Sequence, residues 1–212
     1  MAVYSVLTGD IINSSKLGNS QRKVLLEQMK QLFDELCKKD TNLKIDIFRG
    51  DSFQCIQTNI DRAMLTTLKI KAGLKRSSLA KTGVNARIAI GIGEISIFSD
   101  KIQESDGEAF RNSGQMLDKL KSLESTLMFK SPWNDVNEEM DVHCFTLDAI
   151  TGRWSPQMAE VVFELLDGLK QVQIAAKLGI KQPSVNQRIK LANWSAIEKV
   201  LQRFEKILKS KI

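Results

Sequence analysis

Two aspartates, Asp10 and Asp51, each follow a glycine at the end of an apolar run, VYSVLTGD and IDIFRGD. Carboxylates with no histidine or cysteine beside them are hard oxygen ligands, suited to Mg2+ or Mn2+ held together with substrate phosphates. A divalent ion between the two would neutralise them and orient a nucleoside triphosphate for in-line attack. Gly50 permits a tight turn that brings the backbone close to a phosphate, and Arg49 adds a charge-assisted contact. Gly-Asp in a hairpin is also ordinary turn chemistry, and Asp10 can simply open a loop, so spacing alone leaves both readings open.

Other chemistries are short of residues. The chain of 212 residues has one histidine, His143, which argues against His-rich zinc sites and Ser-His-Asp hydrolysis. Cys37, Cys55 and Cys144 form no CxxC pair, which points to a reducing, cytoplasmic setting. No run reaches the length of a membrane span, and the N-terminus has no basic region ahead of Asp10, so neither membrane nor secretion is expected. With 42% hydrophobic and 26% charged residues the chain can bury a core. The net charge of +6 is segregated. Residues 1–150 hold 20 basic and 20 acidic side chains, whereas 151–212 hold 11 and 5, so the whole excess lies in the last 62 residues. A local basic module facing a polyanion is expected there.

The elements that must position these residues follow from periodicity. Val3–Leu7 reads as a strand, and a helix capped by Asn19 or Ser20 runs to about Lys39 through Val24, Leu25, Met29, Leu32, Phe33 and Leu36. Leu43–Phe48 and Phe53–Gln57 are strands flanking a hairpin. Helices over 60–78 and 107–124 bracket an alternating strand, ARIAIGIGEISI, and 126–129 is a further strand. The order β-α-β-β-α-β is the split arrangement of ferredoxin-like sheets. The expected fold is therefore α+β, an antiparallel palm-type sheet with helices on one face. In it the first two strands run the same way with the third between them, which makes Asp10 and Asp51 neighbours. Gly91 and Gly93, on one face of their strand, suit a closely packed helix better than a dinucleotide turn. The pattern weakens between Lys130 and Pro156. The division expected is a sheet domain with linker at 1–150 and an all-helical domain at 151–212.

In the second part, Gln171–Ile189 has helix-turn-helix spacing. Ala175 lies where two helices cross, Gly179 takes the turn, Ile180 plugs the core, and Val185 and Ile189 face inward. Pro183 fits only the first turn of a recognition helix starting near Gln182. That leaves Gln182, Ser184, Asn186, Gln187, Arg188 and Lys190 outward, able to meet base edges and phosphates of double-stranded DNA. A plain helical bundle with a solvated basic face would share this spacing.

Four segments, VLTGDIINSS, FRGDSFQCI, ARIAIGIGEI and SDGEAFRNSGQMLDKL, resemble in order the core of class III nucleotidyl cyclase domains. The hairpin Arg49–Phe53 also resembles that of diguanylate cyclases. The resemblance covers residues 3–130. It implies Asp10 and Asp51 as metal ligands, the Ile11 backbone near the phosphates, and Asp106 near the base. Three positions depart from it, the first being Ser52, which replaces the acid that follows the aspartate in the diguanylate-cyclase hairpin. Arg111 stands where the cyclase motif has a ribose-orienting asparagine, and Gln115 where it has the arginine that stabilises the transition state. Loss of such a cation lowers rates by orders of magnitude, although Arg111 is placed to substitute. The C-terminal part resembles the DNA-binding module of sigma-factor region four, and the whole order resembles the SatD-like family of small bacterial transcriptional regulators.

These features together give a DNA-binding regulator, paired as a homodimer, whose cyclase-like domain binds a nucleotide or second messenger with Mg2+ or Mn2+ and does not turn it over. The alternatives are an active nucleotidyl cyclase or polymerase-like enzyme with a nucleic-acid-binding tail, and an interaction module whose palm is only a scaffold.

Overall fold

The computed structural model describes residues 2–77, 79 and 83–211. Its centre is β1 (Val3–Ile11), flanked antiparallel by β3 (Ser52–Gln57) and β4 (Ala86–Ile97). β2 (Leu43–Phe48) extends the sheet beyond β3, so β1 and β2 run in the same direction with β3 between them, as the split arrangement requires. Beyond β4 the sheet divides. The two-residue β5 (Asp106–Gly107) pairs antiparallel with the far end of β4, and β6 (Leu127–Lys130) pairs parallel with its first half. The sheet is thus mixed, whereas the sequence pattern suggests a purely antiparallel one.

Alternation along the strands dictates which helices lie where. Leu7, Phe53, Cys55, Ile88, Ile90 and Ile92 point to one face. There they meet α1 (Asn19–Lys39) through Leu25, Met29, Leu32, Phe33 and Leu36, and α2 (Ala63–Lys75) through Met64, Leu68 and Ala72. The cap of α1 is Gly18, one residue before the expected Asn19 or Ser20. A 3-10 turn at Ile60–Arg62 precedes α2; the expected helix end at Ser78 lies outside the described residues. Val6, Ile56 and Ala89 point to the opposite face, where α3 (Glu108–Ser122) covers them with Ala109, Phe110, Met116, Leu117 and Leu120. Helices therefore cover both faces, which corrects the one-face expectation. Gly91 makes this possible: a Cβ there would lie 2.2 Å from the Ala109 carbonyl oxygen and 2.3 Å from the Ser113 nitrogen. The glycines of β4 serve helix packing.

The stretch between Lys130 and Pro156 is no linker. It forms α4 (Asn134–Gly152), whose Val136, Met140, Cys144 and Leu147 join the first-face core, so the expected boundary at residue 150 falls within this helix. α5 (Pro156–Leu166) starts as its sequence demands, with Ser155 Oγ accepting the Met158 N–H and Pro156 in the first turn. α5 and α8 (Trp194–Lys209) belong to the same core as the sheet: Phe204 of α8 meets Phe129 of β6 edge-on, with ring centres 5.8 Å apart. Between them, α6 (Gln171–Leu178) and α7 (Gln182–Leu191) form a satellite cluster in which Ile174 and Val185 pack on Val161 of α5. Gly179 takes the left-handed turn that ends α6 (φ 64°).

Candidate functional site

The β2–β3 hairpin turns through Arg49 and Gly50, both in the left-handed region (φ 57° and 77°). Glycine adopts that conformation freely; arginine adopts it only where the hairpin imposes it. The turn delivers Asp51 beside the end of β1. The Ile11 N–H donates to the Asp51 carbonyl oxygen (2.9 Å), and Asp10 lies opposite Ser52 in the β1–β3 register. The two aspartates, Ile11, Arg49 and Gly50 therefore occupy one edge of the sheet.

Each carboxylate has partners that the spacing did not reveal. Ser14 Oγ donates to Asp51 Oδ2 (2.6 Å) and Ser52 Oγ to Asp51 Oδ1 (3.4 Å). Arg87, which faces Asp10 across the β1–β4 ladder, pairs with it at 3.4 Å. Beside Asp51 opens a cavity of about 300 Å³ walled by Ser14, Ser15, Arg22, Lys23 and Arg49 together with the apolar Leu25 and Leu26. Three cations against one carboxylate make this wall attractive to a polyanion, and the serine hydroxyls can donate to its oxygens. Arg22 already donates to an oxygen here, the Ser15 carbonyl, at 2.9 Å. One signal for Arg22 and Lys23 lay in the sequence: they open a helix whose first turn holds no acid, against the preference set by the helix dipole. Arg87 carried none, because its partner depends on strand register.

The donor set fits a divalent cation in kind. Asp10 and Asp51 offer only oxygen, and among the described residues no histidine or cysteine joins a cluster with them. Among the described residues no group of three or more acidic, histidine or cysteine side chains converges, so an ion here would complete its coordination with phosphate and water.

The structure does not bring Asp106 and Arg111 to this edge. Asp106 pairs with Ile97, ten residues along β4 from Arg87, which is roughly 30 Å away at the rise of a strand. Its carboxylate accepts the Gly107 N–H (2.7 Å) and the Arg111 guanidinium (3.2 Å). Gln115 accepts from Lys130 Nζ at 2.7 Å, midway along the sheet.

In the helical part, Gln182, Asn186, Gln187 and Lys190 are exposed on α7, while Ser184 and Arg188 are half-buried. Arg188 folds back onto α5, donating to Glu160 (3.4 Å) and to the Gln157 carbonyl (3.5 Å). The basic excess is also partly neutralised. Arg203 pairs with Glu139, Lys209 with Asp61 and Lys211 with Asp135, all acids outside the last 62 residues. Lys170, Lys181 and Lys190 make no ion pair among the described residues and place free charge at the starts of α6 and α7 and the end of α7; Arg153, Lys199 and Lys206 are likewise without an ion pair there, so free charge also lies after α4 and along α8. Among the described residues no helix is long and apolar enough to cross a membrane.

The architecture is a mixed sheet between helical layers, with two carboxylates and a cationic pocket at one edge. The sequence model of the SatD family matches residues 4–207, and the chain belongs to that family. No curated protein matches the chain. Solved structures similar to it include a bacterial light-regulated adenylyl cyclase, at 16% identity over 60% of this chain and 75% of that one, with a TM-score of 0.44. The guanylate cyclase domain of RhGC from Catenaria anguillulae, solved with GTP, is 18% identical over 55% of this chain and 72% of its own, with a TM-score of 0.44. A dimeric guanylyl cyclase domain from Blastocladiella emersonii is 17% identical over 55% and 73%, with a TM-score of 0.43.

Proposed function

We propose that the protein is a DNA-binding regulator whose sheet binds a nucleoside polyphosphate with Mg2+ or Mn2+. The observation that carries the nucleotide half is the meeting of Asp10 and Asp51 at one edge, beside a pocket walled by Arg22, Lys23 and Arg49. The two aspartates would hold the ion through oxygen, and the Ile11 backbone, Ser14, Ser15 and the three cations would hold the phosphates. Arg87 keeps Asp10 oriented and offers a further cation to the ligand. A bound divalent ion supplies charge neutralisation between carboxylate and phosphate.

The base-proximal role that resemblance assigns to Asp106, and the ribose-side position at which Arg111 stands, cannot be filled from the same chain, because both residues lie at the other end of β4. A homodimer that set the two sheets head to tail would be needed to bring Asp106 and Arg111 of one protomer to Asp10 and Asp51 of its partner. Binding without turnover fits the engaged state of the substituted positions. Arg111 is held by Asp106, and Gln115, a neutral side chain, stands where a cation would be needed.

The nucleic-acid half rests on residues 151–212 as a second functional unit. Gln182, Asn186, Gln187 and Lys190 present donors and acceptors on the exposed side of α7, supported by Lys170 and Lys181. Incubation with each nucleoside triphosphate and Mn2+, followed by chromatography, tests the first half. The expected result is saturable binding with the nucleotide recovered intact. Cyclic or linked products that vanish in Asp51→Ala would instead establish the cyclase or polymerase-like alternative. The second half is tested by salt-dependent binding to duplex DNA; affinity indifferent to salt would refute it.

A further inference from the structure

α1 touches both halves of the molecule. Its first turns wall the cationic pocket with Arg22 and Lys23. Its last turns, up to about 30 Å away in a helix of 21 residues, are bonded to Arg76 at the end of α2 and to Asp167 at the end of α5, the helix that leads into α6. There Glu35 holds Arg76 of α2 at 3.3 Å and Lys39 at 2.8 Å. Lys39 in turn reaches Asp167 just after α5 at 2.5 Å, alongside Lys69 at 2.6 Å. Burial alone would raise the Asp167 pKa, yet the hydrogen bonds and charges of the two lysines hold it below its ordinary value.

Arg76 continues the connection. Its guanidinium stacks on the Phe163 ring of α5, 3.8 Å from the centroid, and faces Glu164 at 4.0 Å. The Glu164 side chain is only 3% exposed and makes a 2.6 Å ion pair with Lys177 of α6. A buried carboxylate depends on its cations because water cannot replace them. The two cations of Glu164 come from α2, where α1 holds the arginine, and from the helix packed against α7. The ion pairs therefore form an unbroken series: Glu35, Arg76, Glu164, Lys177.

We infer that polyphosphate binding in the Asp51 pocket is coupled to the α6–α7 unit through α1 and this series of ion pairs. The inference rests on the nucleotide reading given above and adds its regulation. A phosphate group in the pocket competes with the Ser15 carbonyl for Arg22 and draws on Lys23. α1 is one continuous helix, so a displacement at its first turn is felt by Glu35 and Lys39. A shift there changes how Arg76 is shared between Glu35 and Glu164, and so the hold on Lys177. By linkage, any effect of nucleotide on α6–α7 must be matched by an equal effect of an α6–α7 ligand on nucleotide affinity.

Hydrogen exchange on the full chain, with and without ATP or GTP plus Mg2+, tests this and separates it from the underlying reading. Protection at residues 14–23 together with altered exchange in α6 and α7 is the expected pattern. Arg76→Gln should keep the change at 14–23 and lose the change in α6–α7. Should that variant fail to fold, Glu35→Gln removes the α1 end of the series from a one-third-exposed position and leaves Glu164 both of its cations. Cross-titration with a mixed-sequence DNA duplex should show a reciprocal change in affinity of about fivefold, reduced toward one in either variant. Exchange that changes at 14–23 but not in α6–α7 would overturn the coupling and leave the nucleotide reading intact. No change at either place, with either nucleotide, would overturn both.

Discussion

Replacing Lys71 with methionine should remove a specific part of the protein's response to alkaline pH. The Lys71 side chain, on α2, is 3% exposed; its Nζ donates to the Ala86 carbonyl (3.2 Å) and the Thr126 hydroxyl (2.6 Å). Burial lowers its pKa from 10.5 to about 8, against a partial upward pull from Asp148, 3.9 Å away. In the unfolded chain the amine titrates at its ordinary value. Between those two values the unfolded state binds more protons than the native one, so stability must rise with pH across that window. Below about 8 both states are charged and the full penalty of burying the charge is present; above 10.5 both are neutral and it has gone. The gap corresponds to about 3 kcal/mol, of which about 2.5 kcal/mol is recovered between about pH 7 and about pH 10. Methionine keeps most of the side-chain volume and does not titrate. Urea denaturation of wild type and Lys71→Met across that range isolates the effect, because titrating groups not coupled to Lys71 cancel in the difference. The wild type should gain about 2–3 kcal/mol on the variant as pH rises. A difference constant to within about 0.5 kcal/mol would refute the claim that the native amine titrates low. Lys71 grips β4 one residue before Arg87, so the same substitution tests whether this anchor steadies the Asp10 edge.

Three further substitutions address the site and the packing. Gly91→Ala should destabilise the protein by about 2–3 kcal/mol in urea denaturation, because the new methyl meets α3 backbone rather than a movable side chain. Asp51→Asn should weaken Mg2+-dependent nucleotide binding by about tenfold or more while the melting curve stays close to wild type, measured by calorimetry with and without the ion. Lys190→Ala should lower the salt slope of DNA binding by about 1, whereas Arg188→Ala, whose guanidinium is spent on Glu160, should change that slope less.

The meeting of Asp10 and Asp51 was legible from strand order: once 43–48 and 53–57 are read as the hairpin of a split βαβ sheet, the third strand separates the first two. The turn at Gly179 and the inward Val185 were legible for a similar local reason, since a small residue, a left-handed turn and apolar spacing fix each other. α4 was missed although Val136, Met140, Cys144 and Leu147 recur at helical spacing. Exposed Val142 and Phe145 lie between them and blur the stripe, and the acids around Glu138 and Glu139 imitate a solvated connection. β5 could not be read at all, because two residues carry no alternation. The cationic wall, apart from the acid-free first turn of α1, was hidden for a third reason. Arg22 and Lys23 come from α1, Arg49 from the β2–β3 turn and Arg87 from β4, and only the register of β1 on β4 and the seat of α1 bring these three segments to Asp10 and Asp51.

α6 and α7 are fixed at both ends, by α5 on one side and α8 on the other, and both of those helices are rooted in the core beneath the sheet. A part held at two points has no swivel. In a homodimer the separation and relative angle of the two α7 helices would be built into the protein, not adjusted by a flexible tether. Half-sites on DNA would then have to match one spacing, and inserting a single base pair between them would rotate one half-site by roughly a tenth of a helical turn, away from a surface unable to follow it.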